Sequence, residues 1–326
     1  MNDSFPTVRV AAVQAAPVLF DREATVEKLA DLVAEARSGG AEFVVFPEAF
    51  IPAYPSGFSV GAVVGSRSEG GRDLWAEYWA ASVEVPGDTV TALAGIARAH
   101  SIYLVVGVVE RDAAHGGGTL YCTMLYFGPD GAYLGKHRKL KPTGSERLIW
   151  GEGDGSTLTT FDSPWGTVGG LICWENYMPL ARAAMYAKGV QIYCAPTADC
   201  RDAWQATLQH IAIEGRCFVI GCNQYVHRDM VPADLPEAHE IATMPAELCR
   251  GGSAIFGPLG QRLAGPLQGE EGILFADLDM REVARSRYDF DPSGHYSRTD
   301  VFRLEVDETP RSPSHSAALG NDGDAP

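Results

Sequence analysis

Short apolar runs alternate with helix-length segments along most of this 326-residue chain. Residues 8–15 and 42–46 are dominated by apolar side chains, which predicts buried strands. Between them, residues 23–38 carry apolar side chains at helical spacing and end at a Gly-Gly pair. The same strand–helix–strand order continues to about residue 285 with no linker and no internal repeat. We therefore predict an α/β fold, with helices packed on a sheet, in a single domain.

Later elements follow the same rule, and three stretches depart from it. Further helices are predicted over residues 74–81, 89–100, 178–188 and 202–216, and further strands over residues 102–110, 121–127, 132–135, 168–173, 190–194, 218–222, 253–256, 262–264 and 272–277. Residues 55–71 and 227–248 are predicted to be long loops, and long loops in compact domains are often functional. Residues 307–326 have a disordered composition, so we expect a domain over 1–306 and a disordered tail.

The charge balance narrows the classes of partner. Lys and Arg number 26 against 42 Asp and Glu, which gives a net charge of −16. Such a protein repels phosphate groups, so we expect neither nucleic acid nor an anionic membrane surface as a partner. No apolar run approaches the roughly 18 residues of a membrane span, and the first residues do not resemble a signal peptide. The expected location is therefore cytoplasmic.

Seven scattered cysteines contain no CxxC pair, which argues against a disulfide framework and against a zinc site. Cys173 differs from the others because it lies where a predicted strand gives way to a helix. Backbone N–H groups at such a junction lower a thiol pKa and can hold an oxyanion. A single cysteine at a strand end is, however, more often a core residue. Four others lie inside apolar runs and are predicted to be core: Cys122, Cys194, Cys217 and Cys222.

Three charged residues are further candidates. Glu48 directly follows an apolar run, so its carboxylate is expected to be partly desolvated and suited to act as a base. Lys139 lies in a basic cluster and could stabilise developing negative charge, and Glu146 follows it on a predicted loop. Taken one at a time, the two acids are more simply surface acids and the lysine belongs to a solvated cluster.

Three motifs surround these candidates: FPEAFIPAYP at 46–55, HRKLKPT at 137–143 and GGLICWENYMPL at 169–180. Three shorter blocks accompany them: WGEGDGS at 150–156, APTAD at 195–199 and DPSGHYSR at 291–298. Taken together and in order, these segments resemble the nitrilase family over roughly residues 8–304. Because the three motifs are far apart in the chain and keep the family's order, their combination is highly specific.

The resemblance implies a fold, a site and an assembly. The fold is a four-layer αββα sandwich. Cys173 is the matching nucleophile, Glu48 the general base, Lys139 the stabilising lysine and Glu146 the second glutamate. The residues that match pocket-lining positions are Tyr54, Thr143, Trp150 and Trp174. No cofactor or metal is implied. Family members form homo-oligomers, with dimers as the building block and spirals or filaments among them, and residues 55–71 and 227–248 resemble the segments that carry such interfaces.

The resemblance also implies a reaction: hydrolysis of a small organic nitrile to its carboxylic acid and ammonia, through a covalent thioimidate and then a thioester on Cys173. Three alternatives stay open. They are an amidase of the same superfamily, a cyanide hydratase or dihydratase, and an inactive scaffold or binding relative. Four aromatic side chains expected near the site favour an aryl or arylaliphatic nitrile: Tyr54, Phe58, Trp150 and Trp174. An aliphatic substrate stays open.

Overall fold

The computed structural model describes residues 5–113 and 116–311. Within them the helices are α1 (Arg22–Ser38), α2 (Glu69–Ala81), α3 (Asp88–His100), α4 (Pro179–Ala187), α5 (Asp202–Gly215) and α6 (Arg281–Ser286). The strands are β1 (Thr7–Gln14), β2 (Phe43–Val45), β3 (Ala62–Val63), β4 (Ser66–Arg67), β5 (Val83–Glu84), β6 (Tyr103–Arg111), β7 (Leu120–Phe127), β8 (Tyr133–Arg138), β9 (Phe161–Ser163), β10 (Gly166–Gly170), β11 (Ile192–Thr197), β12 (Phe218–Asn223), β13 (Tyr225–His227), β14 (Glu247–Phe256), β15 (Arg262–Gln268) and β16 (Gly272–Asp279).

In the described part of the chain, two sheets of seven strands each form the centre of the molecule. The first has the order β16-β1-β2-β6-β7-β8, with β5 added on β6. The second has the order β13-β14-β12-β11-β10-β9, with β15 added on β14. Strands β1, β2 and β6 are parallel, and so are β10, β11 and β12. The intervening helices make these parallel connections possible, because a parallel pair needs a crossover.

The buried apolar clusters show how the layers stack. One cluster joins Val10 and Val105 of the first sheet to Val168 and Ile192 of the second, so it fills the space between the sheets. A second cluster packs α1 and α3 on the outer face of the first sheet. A third packs α4 and α5 on the outer face of the second sheet. The molecule is therefore a single-domain αββα sandwich, and the predicted fold class is confirmed.

Most predicted elements are present, and helix α1 illustrates why. Its capping residue Asp21 accepts a hydrogen bond from the backbone N–H of Ala24 at 2.9 Å, and the helix ends just before Gly39. The predicted strand over residues 168–173 is shorter than expected, since β10 ends at Gly170. Helix α2 begins at Glu69, five residues before the predicted start at 74.

The two predicted loops are more ordered than expected. Residues 55–71 contain the β3–β4 hairpin, and residues 227–248 contain two 3₁₀ turns (Arg228–Met230 and Ala238–Thr243). The two segments contact each other: Ser59 N–H donates to Glu240 Oε2 at 2.8 Å, and Ser68 Oγ donates to Glu237 Oε1 at 3.2 Å. The sequence pattern missed this order because the contacts join residues far apart in the chain.

The first part of the predicted tail lies against the domain. Residues 307–311 have no regular secondary structure and are exposed, but Arg311 N–H donates to Asp154 Oδ2 at 2.7 Å and Glu308 pairs with Lys188 at 2.6 Å. Residues 312–326 of that predicted tail lie outside the described residues, so disorder there stays a prediction. No helix in the described part of the chain is long and apolar enough to cross a membrane.

The topology brings several strand ends to one place. Glu48 follows β2, and Lys139 follows β8, which runs parallel to β2 because two antiparallel pairings separate β8 from β6. In the second sheet, Cys173 follows β10, and Thr197 is the last residue of the parallel strand β11. Carboxyl ends of parallel strands are where α/β folds place their ligand sites.

Candidate active site

Cys173 lies in a strained turn directly after β10. It opens a 3₁₀ turn, Cys173–Tyr177, and its φ is 51°, in the left-handed region. A residue other than glycine held there costs about 1–3 kcal/mol, and such strain persists only where the surroundings fix it. The turn exists because the chain leaves the strand at Gly170 and reverses into α4.

The thiol is almost completely covered but has a polar partner. Cys173 is 4% exposed, and the Thr197 hydroxyl donates to its Sγ at 3.1 Å. Burial raises the pKa of Cys173 well above its usual range, the charge of Glu48 adds to this, and Lys139 opposes it. The sequence-based expectation of a lowered thiol pKa is therefore wrong. A cysteine with a raised pKa keeps its proton at neutral pH, so a base must remove it.

Glu48 is fully buried beside this thiol. Its Oε1 accepts from Lys139 Nζ at 2.7 Å, and its Oε2 accepts from the backbone N–H of Ala198 at 2.9 Å. Gln224 Nε2 donates to the Glu48 carbonyl at 2.8 Å and holds the backbone in place. Burial raises the pKa of Glu48, and Lys139 only partly offsets that effect. A carboxylate with a raised pKa is a better proton acceptor near neutral pH.

Lys139 joins the two acids. Its Nζ donates to Glu48 Oε1 and to Glu146 Oε2, each at 2.7 Å, and the lysine is 1% exposed. Although burial alone would lower the pKa of Lys139, the surrounding negative groups, Glu48 first, raise it well above its usual value. The residue is therefore an ammonium held between two carboxylates.

Glu146 is fixed from three directions. Besides Lys139, Tyr54 Oη donates to its Oε1 at 2.8 Å, and the backbone N–H of Thr143 donates to its Oε2 at 2.6 Å. The second contact is part of a capping box at the start of the 3₁₀ turn Gly144–Leu148. The structure thus brings the four predicted side chains into one cluster. Burial excludes the simpler alternative of surface acids for Glu48 and Glu146.

The four predicted pocket residues differ in their exposure and in what they contact. Tyr54, together with Phe58 and Glu146, lines a narrow cavity of about 50 Å³. Trp150 is buried and packs edge-on against Tyr54 with ring centroids 5.6 Å apart. Thr143 contributes its backbone N–H to Glu146. Trp174 is 37% exposed, and Asp199 accepts from its indole N–H at 2.8 Å.

Some residues near the cluster were not singled out from the sequence. Thr197, Ala198 and Asp199 contact Cys173, Glu48 and Trp174 respectively. All three lie in the APTAD block, and its position at the end of a strand was the signal that could have identified them. Gln224 follows β12 and had no comparable signal.

The other cysteines are mostly core, as predicted. Cys122, Cys194, Cys217 and Cys222 are buried, although the Cys122 thiol also lies 3.5 Å from Glu48 Oε1. Cys200 is half-buried, and a hydrogen bond from the Cys249 thiol lowers its pKa to about 6. Across residues 5–113 and 116–311, no group of three or more His, Cys, Asp or Glu could hold a metal ion.

Comparisons with known proteins show the family and the fold. Residues 9–288 match the carbon–nitrogen hydrolase family. The chain is 54% identical over 307 residues to an aliphatic nitrilase of Sinorhizobium fredii (strain HH103), covering 93% of this chain and 97% of that one. It is 51% identical over 313 residues to a bifunctional nitrilase/nitrile hydratase of Lupinus angustifolius, covering 94% and 88%. The fold resembles that of Saccharomyces cerevisiae Nit3, a member of branch 10 of the nitrilase superfamily, with a TM-score of 0.69, 21% identity, and 91% and 97% coverage.

Proposed function

The chain belongs to the carbon–nitrogen hydrolase family, and from this membership and the site geometry we propose that it is a nitrilase. It hydrolyses an organic nitrile to the carboxylic acid and ammonia. The observation that carries the chemistry is a buried ammonium held at 2.7 Å by each of two carboxylates, beside a cysteine held in a strained turn. An inactive scaffold would gain nothing from this arrangement, because buried charges are costly to desolvate.

The first half of the proposed reaction builds a thioimidate. Glu48 accepts the Cys173 thiol proton as Sγ forms a bond to the nitrile carbon, and one π bond of the nitrile becomes a lone pair on nitrogen. That nitrogen takes up the proton, which leaves a neutral C=N–H group bonded through carbon to sulfur. Lys139 lies between Glu48 and Glu146, so its ammonium supports the negative charge that develops on the substrate. Such preorganised charge accelerates reactions by about two to three powers of ten.

The second half uses two water molecules. Glu48 removes a proton from the first water, whose oxygen adds to the thioimidate carbon to give a tetrahedral species. Its nitrogen is protonated and leaves as ammonia, and a thioester remains. The second water cleaves the carbon–sulfur bond by the same route and releases the carboxylic acid, and the sulfur regains its proton. The sum is one nitrile and two waters converted to one acid and one ammonia.

A second product is an amide, and one observation favours it. The lupin relative is a bifunctional nitrilase/nitrile hydratase and is 51% identical to this chain. From the tetrahedral species, loss of the thiol instead of ammonia would release the amide after one water. The branch taken depends on whether nitrogen or sulfur receives the proton. We therefore propose acid as the main product and amide as a side product.

The testing experiment is a panel of aliphatic, arylaliphatic and aryl nitriles, with free cyanide and the matching amides, assayed for ammonia, acid and amide. We expect acid from at least one nitrile with the wild type. Cys173→Ala should form no product while keeping the wild-type circular dichroism spectrum, and Cys194→Ala, at a buried core thiol, is the matched control. Hydrolysis retained by Cys173→Ala would contradict the mechanism. Activity on amides alone, or on cyanide alone, would favour the amidase or cyanide-degrading alternative.

We also propose that the protein works in the cytoplasm as a homo-oligomer with a dimer as its building block. Exposed apolar side chains support assembly: Val63 and Val64 at the tip of the β3–β4 hairpin are 68% and 103% exposed, and Leu180 on α4 is 71% exposed. Apolar surface of this kind is common at protein contacts. Light scattering on the purified protein tests the assembly, and a monomer at all concentrations would contradict it.

A further inference from the structure

A second buried charge cluster contacts the backbone beside Lys139 and the backbone beside Cys173. Glu175 is 1% exposed. Its Oε2 accepts from the backbone N–H of Ile172 at 2.7 Å, and its Oε1 accepts from that of Leu140 at 2.5 Å. Ile172 immediately precedes Cys173, and Leu140 immediately follows Lys139. One carboxylate therefore links the backbone beside the nucleophile to the backbone beside the lysine.

The third partner of this carboxylate is His137, whose hydrogen bonds indicate its charge. Its Nε2 lies 2.9 Å from Glu175 Oε2, and its Nδ1 lies 2.9 Å from the Thr157 carbonyl oxygen. Both ring nitrogens thus face acceptors. A neutral imidazole has one N–H, so it would leave one nitrogen pointing at an acceptor without a proton. Glu175 also accepts hydrogen bonds from two backbone N–H groups, so each contact of the cluster joins a donor to an acceptor when both ring nitrogens of His137 carry a proton. The geometry therefore fits a buried imidazolium–carboxylate pair.

Two tyrosines and two basic residues lie close to this pair. Tyr126 and Tyr193 lie near Glu175, and burial raises the pKa of both phenols, so they are uncharged. The neighbouring charges on β8, Lys136 and Arg138, point to the other face of the strand and pair with Glu110. Burial lowers the pKa of His137, but the Glu175 charge outweighs it and the net shift is upward.

We propose that His137 and Glu175 are positioning residues. They fix the backbone beside Lys139 relative to the backbone beside Cys173, as catalysis requires. The inference rests on the proposed nitrile hydrolysis, because it concerns the same site. Neither side chain touches the reacting atoms. They act through the backbone of Leu140 and Ile172, so their loss should change the rate of the chemical steps more than substrate binding.

The pair should also set an upper limit to the pH range in which kcat is high. The pKa of His137 is raised in the folded protein, so its contribution is fully present below the pKa of an unfolded histidine, about 6.5. It is lost as the pH rises through the raised folded value, when the imidazolium loses its proton. We therefore expect kcat to fall on the alkaline side with deprotonation of His137.

The test compares Glu175→Gln and His137→Gln with His210→Gln. His210 is the matched control: it is exposed on α5, and its Nε2 lies 3.6 Å from Oε1 of the half-buried Glu214, one helical turn away. We expect kcat to fall about 10- to 100-fold in the first two variants, as for a lost hydrogen bond to a charged group, with KM within about twofold. Glu175→Asp should recover part of kcat. The alkaline fall of kcat should disappear in His137→Gln, and His210→Gln should match the wild type throughout.

A measurement on the intact wild type keeps the proposal testable if the variants fold poorly. In ¹⁵N-labelled protein at pH 7, both ring nitrogens of His137 should show the shifts of a protonated imidazolium. A neutral single tautomer would overturn the proposal, and so would wild-type kcat in a folded Glu175→Gln variant. Either result leaves nitrile hydrolysis by the wild type standing. Absence of that hydrolysis in the wild type would instead refute the proposed function, which distinguishes the two failures.

Discussion

Replacing Lys139 with methionine tests the central charge cluster. Methionine fills similar space but removes the ammonium that lies 2.7 Å from both Glu48 and Glu146. At that distance, with an effective dielectric constant of about 20, each pair contributes about 6 kcal/mol of Coulomb energy before desolvation is counted. Burying the ammonium offsets much of this. Removing one partner of a buried pair typically costs about 3–5 kcal/mol, because the other charge stays buried and unpaired.

The expected result is a loss of about 3–5 kcal/mol in the free energy of unfolding at pH 7, measured by urea denaturation, together with loss of nitrile hydrolysis. The deficit should shrink towards pH 5. In the variant, burial raises the folded pKa of Glu48 with no ammonium to oppose it. A group with a raised folded pKa stabilises the protein at low pH, and this contribution is lost as the pH rises. The difference from the wild type is therefore largest at neutral and alkaline pH.

Two controls isolate the effect. Lys141→Met removes an exposed lysine two residues away, paired with Glu152 at the surface, and should change stability by less than about 0.5 kcal/mol. Lys139→Met combined with Glu48→Gln should recover part of the stability, because one unpaired charge is removed. If Lys139→Met stays within about 1 kcal/mol of the wild type at every pH, the ammonium is not held as described here and the reasoning is refuted.

The remaining predictions concern individual groups of the site. On the acid side, kcat/KM should fall with an apparent pKa above that of an ordinary glutamate, because burial raises the pKa of Glu48 and the base must be unprotonated. A pH–rate profile that stays flat down to pH 5 would contradict this. Thr197→Val should lower kcat about 10- to 100-fold, because the hydroxyl that donates to Cys173 Sγ is lost. Thr91→Val on α3, where an exposed hydroxyl donates to the Gly87 carbonyl at the start of the same helix, should have no effect in the same steady-state assay. Iodoacetamide at pH 7 should label Cys200 before Cys173, because Cys200 is half-buried with a pKa of about 6, whereas Cys173 is buried with a raised pKa. Peptide mass analysis of the wild type and of Cys200→Ser would detect the order of labelling. Faster labelling of Cys173 would instead indicate a preformed thiolate.

The sequence by itself determined the main helices and strands of the α/β fold and the candidate residues for the chemistry. Apolar runs and helical spacing are local properties, so they predicted α1, α3, α5 and the main strands to within a few residues. The three motifs identified Glu48, Lys139 and Cys173 as members of one site, because their combination and order resemble a family. No part of that argument needed a distance.

Only the tertiary structure decided the electrostatic interactions between these residues. The direction of the Cys173 pKa shift depends on burial and on Glu48, which lies 125 positions earlier in the chain, and the local pattern predicted the opposite direction. Likewise, His137 and Glu175 looked like ordinary parts of two motifs until folding placed them 2.9 Å apart. Desolvation and pairing are set by neighbours that the fold brings together from distant segments, and that is why the electrostatics of the site could not be predicted from local sequence.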